Sequence, residues 1–234
     1  HIRSRRQRQM CIRDSSKQSY SLSNVDLIVD RLFKNKEKGI YIDVGCNHPI
    51  KYNNTYLLHK RGWVGINVDL DKESIIEFNK FRKSDFNYQA VVSSSNNLKE
   101  IFFYHNRSTI NTIDKKIALS REPMVKEIIK AKSITLNEII EISPFKKEKI
   151  NFLSIDIENH EYEALKNFDF NKYKIDVIVT ECLEFSTSKK PEIYNQSINY
   201  IQNTKLYKLL ENNNYELINW VNSDLVFVYK NFKF

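Results

Sequence analysis

The chain has 234 residues, 41% hydrophobic and 12% aromatic, with 37 Lys and Arg against 29 Asp and Glu for a formal charge of +8. These are globular values, and no apolar run approaches the roughly 20 residues that cross a bilayer, which excludes a membrane-spanning helix. Five arginines and one acid fall within His1 to Ser15; without them the charge is only +4, too mild for nucleic-acid recognition by composition.

Residues 1–15 show no periodic apolar pattern and no small-residue cleavage site, so they read as neither signal peptide nor transit helix. Met10 to Ser15 looks like the translation of a sequencing adapter, and the tail is expected to be disordered and without function. Residues 16–234 are expected to form a single domain. Leu22 to Phe33 places Val25, Ile28, Val29, Leu32 and Phe33 on one face of a helix. A first strand begins after Gly39 and ends at Asp43. Asn54 is the expected cap of a helix carrying Tyr56, Leu57 and Leu58, closed at Lys60, Arg61 and Gly62. A second strand spans Trp63 to Asp69, and a helix with Ile75, Ile76 and Phe78 inward runs from Lys72 to Phe81. Tyr88 to Val92 reads as a third strand and Ile101 to Tyr104 as a short, antiparallel fourth. His105 to Ser133 is polar, carries a modest helical pattern around Val125, Ile128 and Ile129, and is expected to pass over the carboxyl edge of the sheet. Ile134 to Ile140 reads as a helix, Phe152 to Ile157 as a buried strand, Glu161 to Lys166 as a helix and Ile175 to Val179 as an apolar strand. One amphipathic helix is expected after Pro191, through Tyr194, Ile198, Ile201, Leu206, Leu209 and Leu210. Tyr215 to Trp220 and Leu225 to Tyr229 are strands on either side of a hairpin-like break. The order predicts an α/β fold, Rossmann-like, whose mostly parallel seven-stranded sheet ends in an antiparallel hairpin with helices on both faces. Cys46 and Cys182, the only cysteines outside the tail, have no paired spacing, so no disulfide or zinc site is indicated and a reducing cytoplasm is the expected location.

The stretch Ile40-Tyr41-Ile42-Asp43-Val44-Gly45-Cys46-Asn47-His48-Pro49 carries the strongest functional signal. An apolar strand ends in an acid and is followed by one glycine; the second strand ends in Asp69. Dinucleotide folds need three glycines because the backbone must approach a pyrophosphate, whereas the later positions here hold Asn47, His48 and Pro49. A one-glycine loop suits a nucleoside ligand without phosphates, and S-adenosylmethionine is the common one. Asp69 would accept both ribose hydroxyls. Asp43 would face the ligand's cationic amino-acid part, and Gly45 would let the backbone pass close beneath it. Asn47 and Leu70, next to these, complete the candidate cofactor-binding set. The alternative is that Asp43 and Asp69 merely cap the helices that follow.

Together with Lys51 to Leu58, Gly62 to Asp69 and the run Ile155-Asp156-Ile157-Glu158-Asn159-His160-Glu161, this stretch resembles the FkbM-type S-adenosylmethionine-dependent methyltransferases from about Gly39 to Tyr229. The family pattern in the last run is Asp-x-Glu-Gly-x-Glu; Asn159 replaces its glycine, and asparagine tolerates a left-handed backbone. The resemblance implies a methyltransferase acting on hydroxyl groups of a small-molecule or glycan acceptor, as in bacterial glycan and natural-product tailoring. It places Asp156 near the methionine part of the cofactor or the acceptor. Asp156, Glu158 and His160 alternate along the expected strand end and are the candidate catalytic residues, with His160 or Glu158 as general base and Glu161 as a helix-start acid. The same groups with Glu181 could bind a divalent cation, which is weighed but not favoured. A non-catalytic nucleoside-binding module and, against the glycine argument, an NAD(P)-dependent oxidoreductase are the alternative readings.

Overall fold

A computed structural model describes residues 17–106, 108–120, 124–182 and 197–233; the tail reading falls outside them. Seven strands, β1 (Ile40–Val44), β2 (Val64–Asp69), β3 (Phe86–Gln89), β7 (Ile150–Ile155), β8 (Val177–Glu181), β9 (Tyr215–Val221) and β10 (Asp224–Tyr229), form one sheet in the order β3-β2-β1-β7-β8-β10-β9. Every pair from β3 to β8 is parallel, and β10 runs antiparallel to both β8 and β9. Asn222 and Ser223 alone separate the last two strands, with Asn222 taking the left-handed conformation (φ 53°) that a tight hairpin needs.

Both faces of the sheet are covered. Period-two alternation sends Tyr41, Phe152, Val177, Val179 and Val226 to one face, where Val25 and Val29 of the first helix (Val25–Leu32) and Phe33 just beyond it meet them. Ile42, Leu153, Ile178 and Phe227 point the other way, toward Ile139 and Ile140, Ala164 and Leu165, and Leu206 and Leu210 from three further helices. Parallel strands buried on both sides read as continuous apolar runs, which is why β1, β7 and β8 are plain in the sequence.

A second, three-stranded sheet contains β4 (Val91–Val92), β6 (Glu127–Ile134) and β5 (Leu98–Phe103) in that order. It corrects two expectations. The strand anticipated over Tyr88 to Val92 is divided at Ala90, whose N–H donates to the Asp69 carbonyl at 2.9 Å; the chain then leaves the large sheet and β4 pairs with β6. The helical pattern around Ile128 and Ile129 belongs to a strand, in which these residues oppose Phe102 and Ile101 of antiparallel β5. Cross-strand pairing outweighs a weak local period here.

Two helical details also differ. The C-terminal amphipathic stretch is two helices, Ile198–Gln202 and Lys205–Asn212, because Thr204 stops the first and caps the second, accepting from the Tyr207 N–H at 3.2 Å. Tyr194 lies outside the described residues. The helix Tyr56–Lys60 begins after Thr55, and Asn54 instead donates to the Ser154 hydroxyl across the sheet at 3.1 Å.

Candidate active site

The carboxyl ends of β1, β2, β7 and β8 open into a cavity of about 350 Å³, within the range of small-ligand sites. Its floor includes Gly45, Asn47, Asp69 and Leu70, and its far wall Asp156, Glu158 and His160. Seven of the eight candidate site residues therefore meet in one place. Residues Ser108 to Thr112 of the excursion also line it, as anticipated for a segment crossing the carboxyl edge.

Asp43 is the exception. It is buried beneath the floor and absent from the lining, its carboxylate accepting from Asn53 Nδ2 at 2.9 Å and from the Thr55 hydroxyl at 2.8 Å. Burial raises its pKa, and the Arg82 guanidinium opposes that rise. Arg82, fully buried, follows the helix Lys72–Phe81 and donates to the Pro49 carbonyl through Nε (3.0 Å) and Nη2 (2.6 Å), to Asn53 Oδ1 (2.6 Å) and to the Thr55 hydroxyl (2.7 Å). The acid closing β1 thus anchors the loop above it through a buried charge network instead of facing the ligand space.

Asp69 remains on the floor. Its Oδ2 accepts from the Asn47 N–H at 2.8 Å and its Oδ1 from the Asp71 N–H at 2.7 Å, so both oxygens are oriented by backbone. Burial, against those two hydrogen bonds, pushes its pKa up to about 6. The helix cap is Asp71, which accepts from the Glu73 N–H at 2.8 Å. Capping therefore does not occupy Asp69.

Beyond β7 the expected strand alternation of Asp156, Glu158 and His160 does not occur. The strand ends at Ile155, and Glu158 (φ 57°) and Asn159 (φ 72°) form a left-handed turn. Asn159 adopts the backbone its family counterpart glycine would take and donates to Asp114 Oδ2 at 2.8 Å. The turn folds Glu158 back beside Asp156, so the two carboxylates stay close without sharing a strand face. Asp156 is exposed to the cavity, and desolvation by the surrounding protein, followed by the Glu158 charge, raises it to about 7. His160 opens the helix Glu161–Leu165 and its Nε2 lies 3.1 Å from the Ser93 hydroxyl; burial lowers its pKa to about 4, leaving it neutral and a poor base. Glu161 is buried beneath the turn, accepts from the Ile157 N–H at 2.8 Å, and is lifted by burial to about 8.

Two acids that the sequence did not place among the catalytic candidates complete the wall. Glu181 closes β8 and is raised well above the usual carboxylate range by burial and by Asp156. Asp224 opens β10, pairs with Glu181 in the ladder, and accepts from the Ser23 hydroxyl. The signal for both was their position at strand ends of the same edge. The lining among the described residues has five carboxylates, Asp69, Asp156, Glu158, Glu181 and Asp224, and no Lys or Arg.

A mostly parallel sheet that ends in an antiparallel hairpin, with its cavity over the carboxyl ends of the strands, is the Rossmann-like methyltransferase fold. The family profile described as "Methyltransferase FkbM domain" matches residues 43–217, and the chain belongs to that family of methyltransferases. No curated protein matches the chain.

Proposed function

We propose that the protein is an S-adenosylmethionine-dependent O-methyltransferase acting on a hydroxyl of a sugar, glycan or other small polyol. The observation that carries the donor is the charge of the cavity: five carboxylates and, among the described residues, no Lys or Arg. Such a lining attracts an ammonium and a sulfonium and repels a pyrophosphate. When bound, the donor supplies an electrophilic methyl group on a positively charged sulfur.

The residues divide the remaining work. Asp69 holds the ribose hydroxyls, helped by the Asn47 backbone, while Gly45 and Leu70 shape the floor. Methyl transfer is an in-line displacement, so positioning supplies most of the acceleration. Asp156, with a pKa near neutrality and a position on the wall, takes the proton that the acceptor hydroxyl must lose. His160 positions the turn rather than acting as the base. The rim supports a polyol acceptor: Ser23, Asn54, Ser108, Thr109 and Asn222 offer neutral hydrogen-bonding groups. Tyr52 stands beside them 68% exposed, in a left-handed conformation (φ 51°) that a bulky residue rarely takes without cause.

Calorimetric titration of the full chain with S-adenosylhomocysteine, and with NAD⁺ as control, tests the reading. Binding of the former alone is expected, weakened about 100-fold in Asp69→Ala through loss of two hydrogen bonds to a charged acceptor. Because the ionised carboxylate is the acceptor and its pKa is raised to about 6, affinity holds above pH 6. It then falls about tenfold for each unit below, and Asp69→Asn removes that dependence. Binding of NAD⁺ in place of S-adenosylhomocysteine would overturn the proposal. With a saccharide acceptor, Tyr52→Ala is expected to raise KM about tenfold through lost ring stacking while leaving S-adenosylhomocysteine affinity unchanged. An unchanged KM would remove Tyr52 from the acceptor site.

A further inference from the structure

We infer that Asp156, Glu158 and Glu181 hold a hard divalent cation, of the magnesium and manganese class, beside the methyl donor. The inference deepens the reading above and rests on it for the cation's catalytic role. One oxygen from each of the three carboxylates lies within 4.8 Å of the other two. Oxygens on opposite sides of a magnesium ion stand about 4.2 Å apart, so small side-chain adjustments bring the three onto one ion.

A cluster of acids alone would mean little. The second observation is Glu181 Oε2, which is shielded from solvent and has no hydrogen-bond partner, on a side chain that lines the cavity. Its other oxygen accepts from the Ser223 hydroxyl at 3.1 Å, which fixes the direction of the carboxylate. Glu181 stands within hydrogen-bonding reach of the Asp156 carboxylate, and two acids this close are held together by a shared proton or by a cation. No Lys or Arg among the described lining residues supplies one. The methyl donor brings a net charge of only +1, from two cationic groups and one carboxylate, against five acids in the lining. Asp224 is excluded from the ligand set because the Ser23 hydroxyl already engages it.

An all-oxygen set selects magnesium, manganese or calcium over zinc or copper. Three protein ligands leave coordination positions open for water and the acceptor hydroxyl, which the ion would orient and acidify. The acceptor O–H proton passes to the Asp156 oxygen that does not contact the ion, each acid supplying one ligand oxygen. The new O–C bond forms as the donor's C–S bond breaks, leaving that electron pair on sulfur.

Titrating the full chain with Mn²⁺, and reading free ion by electron paramagnetic resonance with and without S-adenosylhomocysteine, tests the site independently of turnover. One Mn²⁺ per chain is expected, displaced by Mg²⁺. Its affinity should fall about tenfold or more in both Glu181→Gln and Glu158→Gln, with melting curves confirming that each variant folds. Absence of Mn²⁺ binding while S-adenosylhomocysteine binds overturns the cation site, as does Mn²⁺ binding unchanged in both variants. A small primary ammonium compound binding where Mn²⁺ does not would assign the acids to a cationic acceptor instead. Mn²⁺ binding at these residues without S-adenosylhomocysteine binding supports the cation site and removes the methyl-donor reading.

Discussion

Arg82→Met is expected to lower the stability of the fold by about 3–5 kcal/mol, the cost of removing one member of a buried charge network. The guanidinium is fully buried, and its five N–H groups face the Pro49 carbonyl, Asn53, Thr55 and the Tyr41 hydroxyl. Methionine fills much of the same volume but leaves those acceptors without donors and the Asp43 carboxylate without its opposing charge. Arg82→Lys retains the charge without the planar fork that reaches Pro49 twice, so it should fall between the two. Urea unfolding measures this directly: a lower midpoint with an unchanged slope is expected. A loss below about 1 kcal/mol would show that the network contributes packing alone.

Gly45→Ala is expected to reduce S-adenosylhomocysteine affinity about 100-fold, a displacement effect that removes no hydrogen-bonding group. Gly45 has φ 79°, and a Cβ there would stand 1.8 Å from the Asp156 carbonyl oxygen and 3.2 Å from Ile157 Cγ2. The loop after β1 and the end of β7 would have to separate, carrying Asn47 away from Asp69 and moving Asp156. Gly62→Ala is the control. It has a similar φ of 88° but nothing within 4 Å of the added carbon, so it costs only backbone strain, about 1 kcal/mol, and should bind normally. Equal affinity in the two variants would sink the argument that β1 and β7 must touch at this point.

The two glycine sites explain why so much of the floor was legible in the sequence. Gly45 between an apolar strand and a polar loop, and Asp69 at the end of the next strand, are local patterns, and the structure puts them where the patterns require. Asp43 was read from the same pattern and turned the other way. Nothing local distinguishes an acid that faces a ligand from one held by Asn53, Thr55 and an arginine some 40 positions along the chain. Arg82 itself left a faint signal. Outside the first fifteen residues the chain has only five arginines among its many lysines, and a bidentate buried site is where lysine cannot replace one. The strand alternation expected through His160 was illegible for a related reason: its Ser93 partner lies 67 residues away, and a left-handed turn at Glu158 and Asn159 takes the place of the strand that the alternation assumed. The small sheet was the least legible element, because β4 has only two residues and most of β6 is exposed, so its apolar residues carry no clean period.

That small sheet separates two tasks that many proteins combine in one surface. The strand ends of β1 and β2 build the floor, whereas Ser108, Thr109, Asn111 and Thr112, which lie between β5 and β6, build part of the roof. Ala90 is the single residue at which the chain passes from the large sheet to the small one. Exchanging the segment between β5 and β6 while keeping Thr112 and Asp114, which hold the turn after β7, would therefore redraw the roof and leave the ends of β1 and β2 and the Arg82 anchor untouched. Under the function proposed above, an evolving lineage or a laboratory library would reach new acceptors by loop grafting, with the donor platform inherited unchanged.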